Sequence, residues 1–214
     1  MVTKTTVCTE EDLGLALEVL RSGGLALLPT ETVYGVGVSV GAFSSCGKVP
    51  GPETGYGRIF SLKRRDLAQT VPWLVDGPEA LERYAVDVPS QLFDLARTFW
   101  PGALTLVVPA APCVPDFMRA ADGTVALRAS ASPVIQRLIR ELGFPLAVTS
   151  ANTHGMPAPA AFTDVEPRIL EGVDVAVDAG ETPCRDASTI VAMREGKLVV
   201  LREGALLLQD VQSL

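Results

Sequence analysis

Leu13, Ala16, Leu17 and Leu20 recur at helical spacing and predict one amphipathic helix, closed by Gly23-Gly24. Thr9-Glu10-Glu11-Asp12 precedes it and predicts a helix start, with Thr9 as N-cap and acids in the first turn. Leu25 to Leu28 is a continuous apolar run between glycine and Pro29, the pattern of a short buried strand. Hydroxyls and glycines then replace the apolar residues over Thr30-Glu31-Thr32-Val33-Tyr34-Gly35-Val36-Gly37. A strand end that opens into such a loop is where α/β proteins place ligands. The bland alternative is a strand-turn-strand whose threonines serve only β propensity. Between Gly41 and Gly57 no period survives, which predicts a long loop.

Further along, residues 78 to 85 read as a helix with Pro78 in its first turn and Leu81, Tyr84 and Ala85 facing inward. A second helix follows Pro89, with Leu92, Leu95, Ala96 and Phe99 on one face. Pro101-Gly102 turns the chain into a strand from Leu104 to Val108, and a second strand runs from Thr124 to Arg128. Ser132-Pro133 opens a helix, as N-cap and first residue, that Gly143 closes. Leu146 to Thr149 is a strand that ends in the loop Ser150-Ala151-Asn152. A short helix is predicted after Thr163, with Glu166 completing a capping box. Val173 to Val177 is a strand. Ser188 to Met193 and Lys197 to Leu201 form a hairpin around Glu195-Gly196. Strands that alternate with helices and finish in a hairpin predict an α/β fold: a twisted, mixed parallel/antiparallel open sheet flanked by helices.

Composition narrows the chemistry. The 214 residues carry a net charge of -7, which disfavours a surface built to grip nucleic acid. Cys8, Cys46, Cys113 and Cys184 have no metal-ligand spacing, and His154 is the only histidine. No nucleophile elbow accompanies it, so a Ser-His-Asp or Cys-His mechanism has no support. The N-terminus lacks the pattern of a signal peptide and no apolar stretch has membrane-spanning length, so a cytoplasmic protein is expected. If the strand ends converge, one rim collects the cations Lys63, Arg65, Arg128 and Arg202. With them come the short polar groups of Thr30, Thr32, Thr124, Ser150, Asn152 and Ser188. No paired acids stand out. That inventory suits a transfer between bound substrates, in which the protein positions groups and neutralises charge on phosphate oxygens. Taken singly, each residue has a plainer role: Lys63-Arg64-Arg65 as a solvated charge run, Arg128 and Arg202 as strand-end cations, Ser150 and Asn152 as turn formers.

Five blocks carry a resemblance. They are Pro29-Thr30-Glu31-Thr32-Val33-Tyr34-Gly35, Trp100-Pro101-Gly102-Ala103-Leu104-Thr105-Leu106, Val125-Ala126-Leu127-Arg128, Ser150-Ala151-Asn152, and Ser188-Thr189-Ile190-Val191 with Leu201-Arg202-Glu203-Gly204. In this order they resemble the YrdC-like family, the threonylcarbamoyl-AMP synthases. The resemblance implies a nucleotidyltransferase that makes threonylcarbamoyl-AMP and pyrophosphate from L-threonine, bicarbonate and ATP with Mg2+, for threonylcarbamoyladenosine modification of tRNA. It also implies partner proteins of tRNA modification, and it leaves direct RNA binding open. Carried over residue by residue, Lys63 and Arg65 are the catalytic, phosphate-facing cations. Thr124, Ser150, Asn152 and Arg202 join them on the ATP, and Thr30, Arg128 and Ser188 hold threonine. No protein metal ligand is implied. A single YrdC-like domain over 1–214, without an additional C-terminal domain, is expected.

This chain also departs from the family. Asp66 follows Arg65 where relatives carry proline, and Ala129-Ser130-Ala131-Ser132-Pro133 lacks the usual proline and histidine after Arg128. Asp66 is expected to pair locally with Arg64 or Arg65. The atypical 41–57 loop is expected to close over the site as a flap, and an extended Leu62 to Arg65 would turn Lys63 and Arg65 to one side. Two alternatives follow from the departures: a diverged paralogue that binds nucleotide or RNA without catalysis, and a carbamoyl-adenylate enzyme with another substrate.

Overall fold

Strands buried on both faces form the centre of the molecule, and the computed structural model describes residues 5–207 and 209. In chain order the elements are β1 (Thr6–Thr9), α1 (Gly14–Arg21), β2 (Ala26–Pro29), β3 (Tyr34–Ser39), α2 (Gly55–Lys63), β4 (Trp73–Leu74), α3 (Ala80–Tyr84), α4 (Ser90–Phe99), β5 (Leu104–Pro109), β6 (Thr124–Arg128), α5 (Pro133–Leu142), β7 (Leu146–Ser150), α6 (Pro167–Glu171), β8 (Val175–Asp178), β9 (Thr189–Arg194) and β10 (Lys197–Arg202). The strands form one sheet in the order β1-β8-β2-β3-β7-β4-β6-β5-β9-β10. The pairs β1–β8, β2–β8, β4–β6 and β5–β9 are parallel, and the others are antiparallel. The expected mixed open sheet is therefore present.

Alternation along β2 explains its continuous apolar run. Leu27 faces one core, while Ala26 and Leu28 face the other. α1 and α5 cover the Leu28 side with Leu17, Leu20, Ile135 and Leu138. α2 and α4 cover the Leu27 side with Tyr56, Ile59, Phe60, Leu92 and Leu95. Close approach accounts for the glycines of β3. A Cβ at Gly37 would lie 2.6 Å from the Ala147 carbonyl oxygen of β7. No larger residue fits there unless the two central strands part.

Local chemistry corrects four expectations. Thr9 is not a helix cap but the last residue of β1, an exposed strand paired in parallel with β8. The first free amide of α1, at Gly14, instead donates to the Asp12 carboxylate at 3.2 Å. Glu166 flanks α6 but closes no box with Thr163. Its carboxylate accepts from the Thr153 amide and hydroxyl at 2.7 and 2.8 Å. Asp66 pairs with neither arginine among the described contacts and accepts from the Ala68 amide at 2.9 Å. Finally, the 41–57 segment is no flap. It leaves β3 at Ser39, the end opposite Tyr34, and Gly55 packs under the Gly23 carbonyl beside the start of β2. Its last residues already belong to α2, capped by the Thr54 hydroxyl on the Gly57 amide.

Candidate active site

A cavity of about 520 Å3 opens at the Pro29–Tyr34 end of β2 and β3, within the size range of small-molecule sites. Thr30, Thr32, Lys63, Arg65, Arg128, Ser150, Asn152, Ser188 and Arg202 all line it. Thr124 does not. It begins β6, four residues before Arg128, and its hydroxyl donates to Asp122 at 2.6 Å.

Lys63 and Arg65 reach the cavity by a route different from the extended one expected. Lys63 is the last residue of α2, and Arg64 adopts φ 52° and ψ 47°. That left-handed turn returns the Arg65 amide to the Phe60 carbonyl at 2.9 Å, the closing bond of a helix C-terminus. Arg64 swings outward and is exposed, while its two neighbours turn in. The side-chain separation predicted for the run is thus present, but a helix end produces it.

Only 2% of Lys63 is exposed. Its ammonium donates to the Asn152 carbonyl at 2.8 Å, to Asn152 Oδ1 at 3.1 Å and to the Ser150 carbonyl. Burial, then the neighbouring Arg65 charge, lower its pKa to about 8, against an opposing pull from Glu166. Lys63 therefore staples the Ser150-Ala151-Asn152 loop and sets its charge beneath it. Arg65 donates to the Thr149 hydroxyl at 3.0 Å and to the Thr70 carbonyl at 2.5 Å, and its buried Nε has no partner. Arg168 braces this half by binding the Leu62 carbonyl and the Thr153 hydroxyl.

A second group lies across the cavity. Arg202 donates to the Ser188 carbonyl and hydroxyl at 2.6 and 3.2 Å, and Ser188 Oγ meets Thr105 Oγ1 at 2.8 Å. Burial, then the nearby Arg128 charge, lower the Arg202 pKa. Arg128 Nε donates to the Gly102 carbonyl at 3.2 Å. A Cβ at Gly102 would lie 2.4 Å from the Phe99 carbonyl, so the turn that presents the Gly102 carbonyl to Arg128 accepts only glycine. Thr30 Oγ1 accepts from the Thr32 and Val33 amides and donates to the Val33 carbonyl at 2.6 Å, so its hydroxyl holds the turn.

Glu31, Thr105 and Thr149 were not singled out from sequence. Glu31 pairs with Arg128 at 2.6 Å, both side chains being about nine-tenths buried. Burial alone would raise the Glu31 carboxyl, but Arg128 and the Ser130 hydroxyl outweigh it and hold its pKa below the ordinary value. Only its place in the Pro29–Gly35 block marked it. The alternating inward positions of β5 and β7 were the available signal for the two threonines.

Comparison with known proteins identifies the family. The Sua5/YciO/YrdC family, described as Telomere recombination, matches residues 18–204. The chain is 32% identical to a threonylcarbamoyl-AMP synthase of Pyrococcus abyssi, over 95% of this chain and 57% of that protein. It is 30% identical to a threonylcarbamoyl-AMP synthase of Vibrio cholerae, over 87% of this chain and 98% of that one. The crystal structure of P. abyssi Sua5 complexed with L-threonine superposes with a TM-score of 0.84 at 31% identity, over 98% of this chain and 59% of that chain. The chain thus spans little more than half of the Pyrococcus protein and nearly all of the Vibrio one. With the matched region running from α1 past β10, and the family's motif residues gathered around one cavity, this chain belongs to the Sua5/YciO/YrdC family.

Proposed function

We propose that this chain is a threonylcarbamoyl-AMP synthase serving tRNA threonylcarbamoyladenosine modification. The observation that carries the reading is the placement of two cationic groups, Lys63–Arg65 and Arg128–Arg202, around one cavity with the Ser150–Asn152 loop and Ser188. The threonine amine and bicarbonate condense to a carbamate with loss of water. A carbamate oxygen attacks the α-phosphorus of ATP, and the bond to the bridging oxygen breaks to release pyrophosphate. Lys63 and Arg65 stabilise the charge that builds on the phosphates. Arg128 receives the threonine carboxylate, and Ser188 and the Thr30 turn fix the amino acid beside it. Holding the substrates together supplies much of the rate, since effective molarities reach about 10⁵ M or more.

Mg2+ enters with ATP as part of that substrate, where it shields the triphosphate. The polar part of the cavity lining, mostly hydroxyls and cations, fits an ion carried on phosphate oxygens. Among the described residues no group of three or more His, Cys, Asp or Glu is placed to hold it independently.

Pyrophosphate release from ATP is expected to require both threonine and bicarbonate. ATP binding without threonine-dependent release would move the non-catalytic paralogue to first place. Release supported by a different carbamoyl donor in place of bicarbonate and threonine would favour the other carbamoyl-adenylate chemistry.

Hydrogen exchange should separate the ligand-responsive loops from the 41–57 segment. Ala68, Gln69, Thr70 and His154 line the cavity and no residue of 41–57 does. Exchange should slow near 66–70 and 153–158 when ATP and threonine are added and stay unchanged over 41–54. Protection gained at 41–54 instead would restore the flap.

A further inference from the structure

The cations of the cavity differ in their counter-charges. Among the described residues Lys63, Arg65 and Arg202 have no carboxylate within salt-bridge distance, whereas Arg128 has Glu31 at 2.6 Å. Glu31 is fixed there from three sides. Its Oε2 accepts from the Ser130 hydroxyl, its backbone carbonyl accepts from the Cys184 amide at 2.9 Å, and the turn around it is tied by Thr30. It does not itself line the cavity, so its effect on a ligand passes through Arg128. Arg128 Nη2 and Glu31 Oε1 are buried against each other at 2.6 Å, so that edge of the guanidinium is committed to the pair. The pair cancels charge, and only the rest of the guanidinium is left to meet a ligand.

We propose that Glu31 is a specificity-determining residue that divides the cavity by charge, making the Arg128 end accept a zwitterionic amino acid and turning phosphates toward Lys63 and Arg65. A group of no net charge still gains the hydrogen bonds of the Arg128 guanidinium. A polyanion at the same place meets the Glu31 carboxylate in a poorly screened setting. Two substrates that both carry anionic groups are in this way kept from exchanging places, by a repulsive element rather than an extra attraction. The inference rests on the reading that threonine lies at Arg128.

Calorimetry tests it with L-threonine and inorganic pyrophosphate as probes, on the wild type, Glu31→Gln and Arg128→Ala. In the wild type, pyrophosphate should compete with ATP and leave threonine affinity unchanged. Glu31→Gln keeps the shape and removes the charge. Its threonine affinity should stay near that of the wild type, because the Arg128 guanidinium is kept, and pyrophosphate should now compete with threonine. Circular dichroism and retained ATP binding establish that the variant is folded. Glu31→Gln that shows no pyrophosphate competition with threonine, or that loses threonine affinity about tenfold, overturns the proposal. The wild type carries the test without any variant: pyrophosphate that displaces threonine there overturns it too. If Arg128→Ala binds threonine normally, the placement of threonine itself is wrong, a failure distinct from that of Glu31.

Discussion

Replacing Lys63 or Arg65 with alanine is expected to remove most pyrophosphate release, whereas Arg64→Ala stays near wild type. Loss of one group that meets developing phosphate charge costs about 3 kcal/mol, a hundredfold or more in rate. Loss of a solvated cation costs under about 0.5 kcal/mol. Arg64 is exposed at the left-handed end of α2, while its neighbours line the cavity. The Lys63→Ala and Arg65→Ala variants should nevertheless fail differently. Lys63 holds the Ser150 and Asn152 carbonyls, so Lys63→Ala also frees the loop, and local exchange should quicken at 150–154. Arg65 ties Thr149 to Thr70, and its removal should leave that loop in place. With its pKa lowered to about 8, Lys63 is a cation below that pH and loses its charge above it. ATP affinity should fall as pH rises through about 8, and Lys63→Arg should flatten that fall. Equal loss in all three alanine variants would mean a diffuse basic patch and would sink the residue assignments.

Arg128→Ala is expected to be the most damaging substitution for stability. It leaves Glu31 buried without its partner, a change that costs about 3–5 kcal/mol when one member of a buried pair is removed. The pH dependence has a defined sign. In the wild type the folded pKa of Glu31 lies below its ordinary value. Its contribution is present above the ordinary carboxylate pKa, about 4.3, and is lost as pH falls through the folded pKa. In Arg128→Ala burial acts without the neighbouring cation, and the Glu31 pKa is expected to rise from its wild-type position. The variant then recovers stability as the carboxyl protonates. The gap between the two in urea midpoint should narrow from pH 7.5 to pH 5. A gap that stays constant over this range would show that Glu31 remains ionised without Arg128, and that the pair is not what holds it.

The sequence by itself determined the elements whose burial is one-sided or complete. The helical spacing from Leu13 to Leu20, the apolar run of β2, the Thr124–Arg128 strand and the Glu195-Gly196 hairpin each stand where the pattern put them. Burial dictates those patterns locally, so a short window contains the information. It failed at β1, where an exposed, hydroxyl-rich edge strand has no apolar alternation to declare it, and its pairing to β8 spans most of the chain. The motifs pointed to most of the polar residues that line the cavity, but periodicity could not say which of them meet. Tertiary structure alone brought Lys63 to Ser150 and Asn152, set Arg202 beside Ser188 and Arg128, and left Thr124 at the other end of its strand. It also turned Arg64 outward, because a helix end reverses a chain that sequence alone presented as a run of three cations. Most consequential is Glu31, an acid in a threonine-rich turn that gains a counter-charge only once β6 places Arg128 against it, 97 residues later in the chain. Charge pairing across a cavity depends on distance and solvent exclusion, and neither is a property of neighbouring residues in a chain.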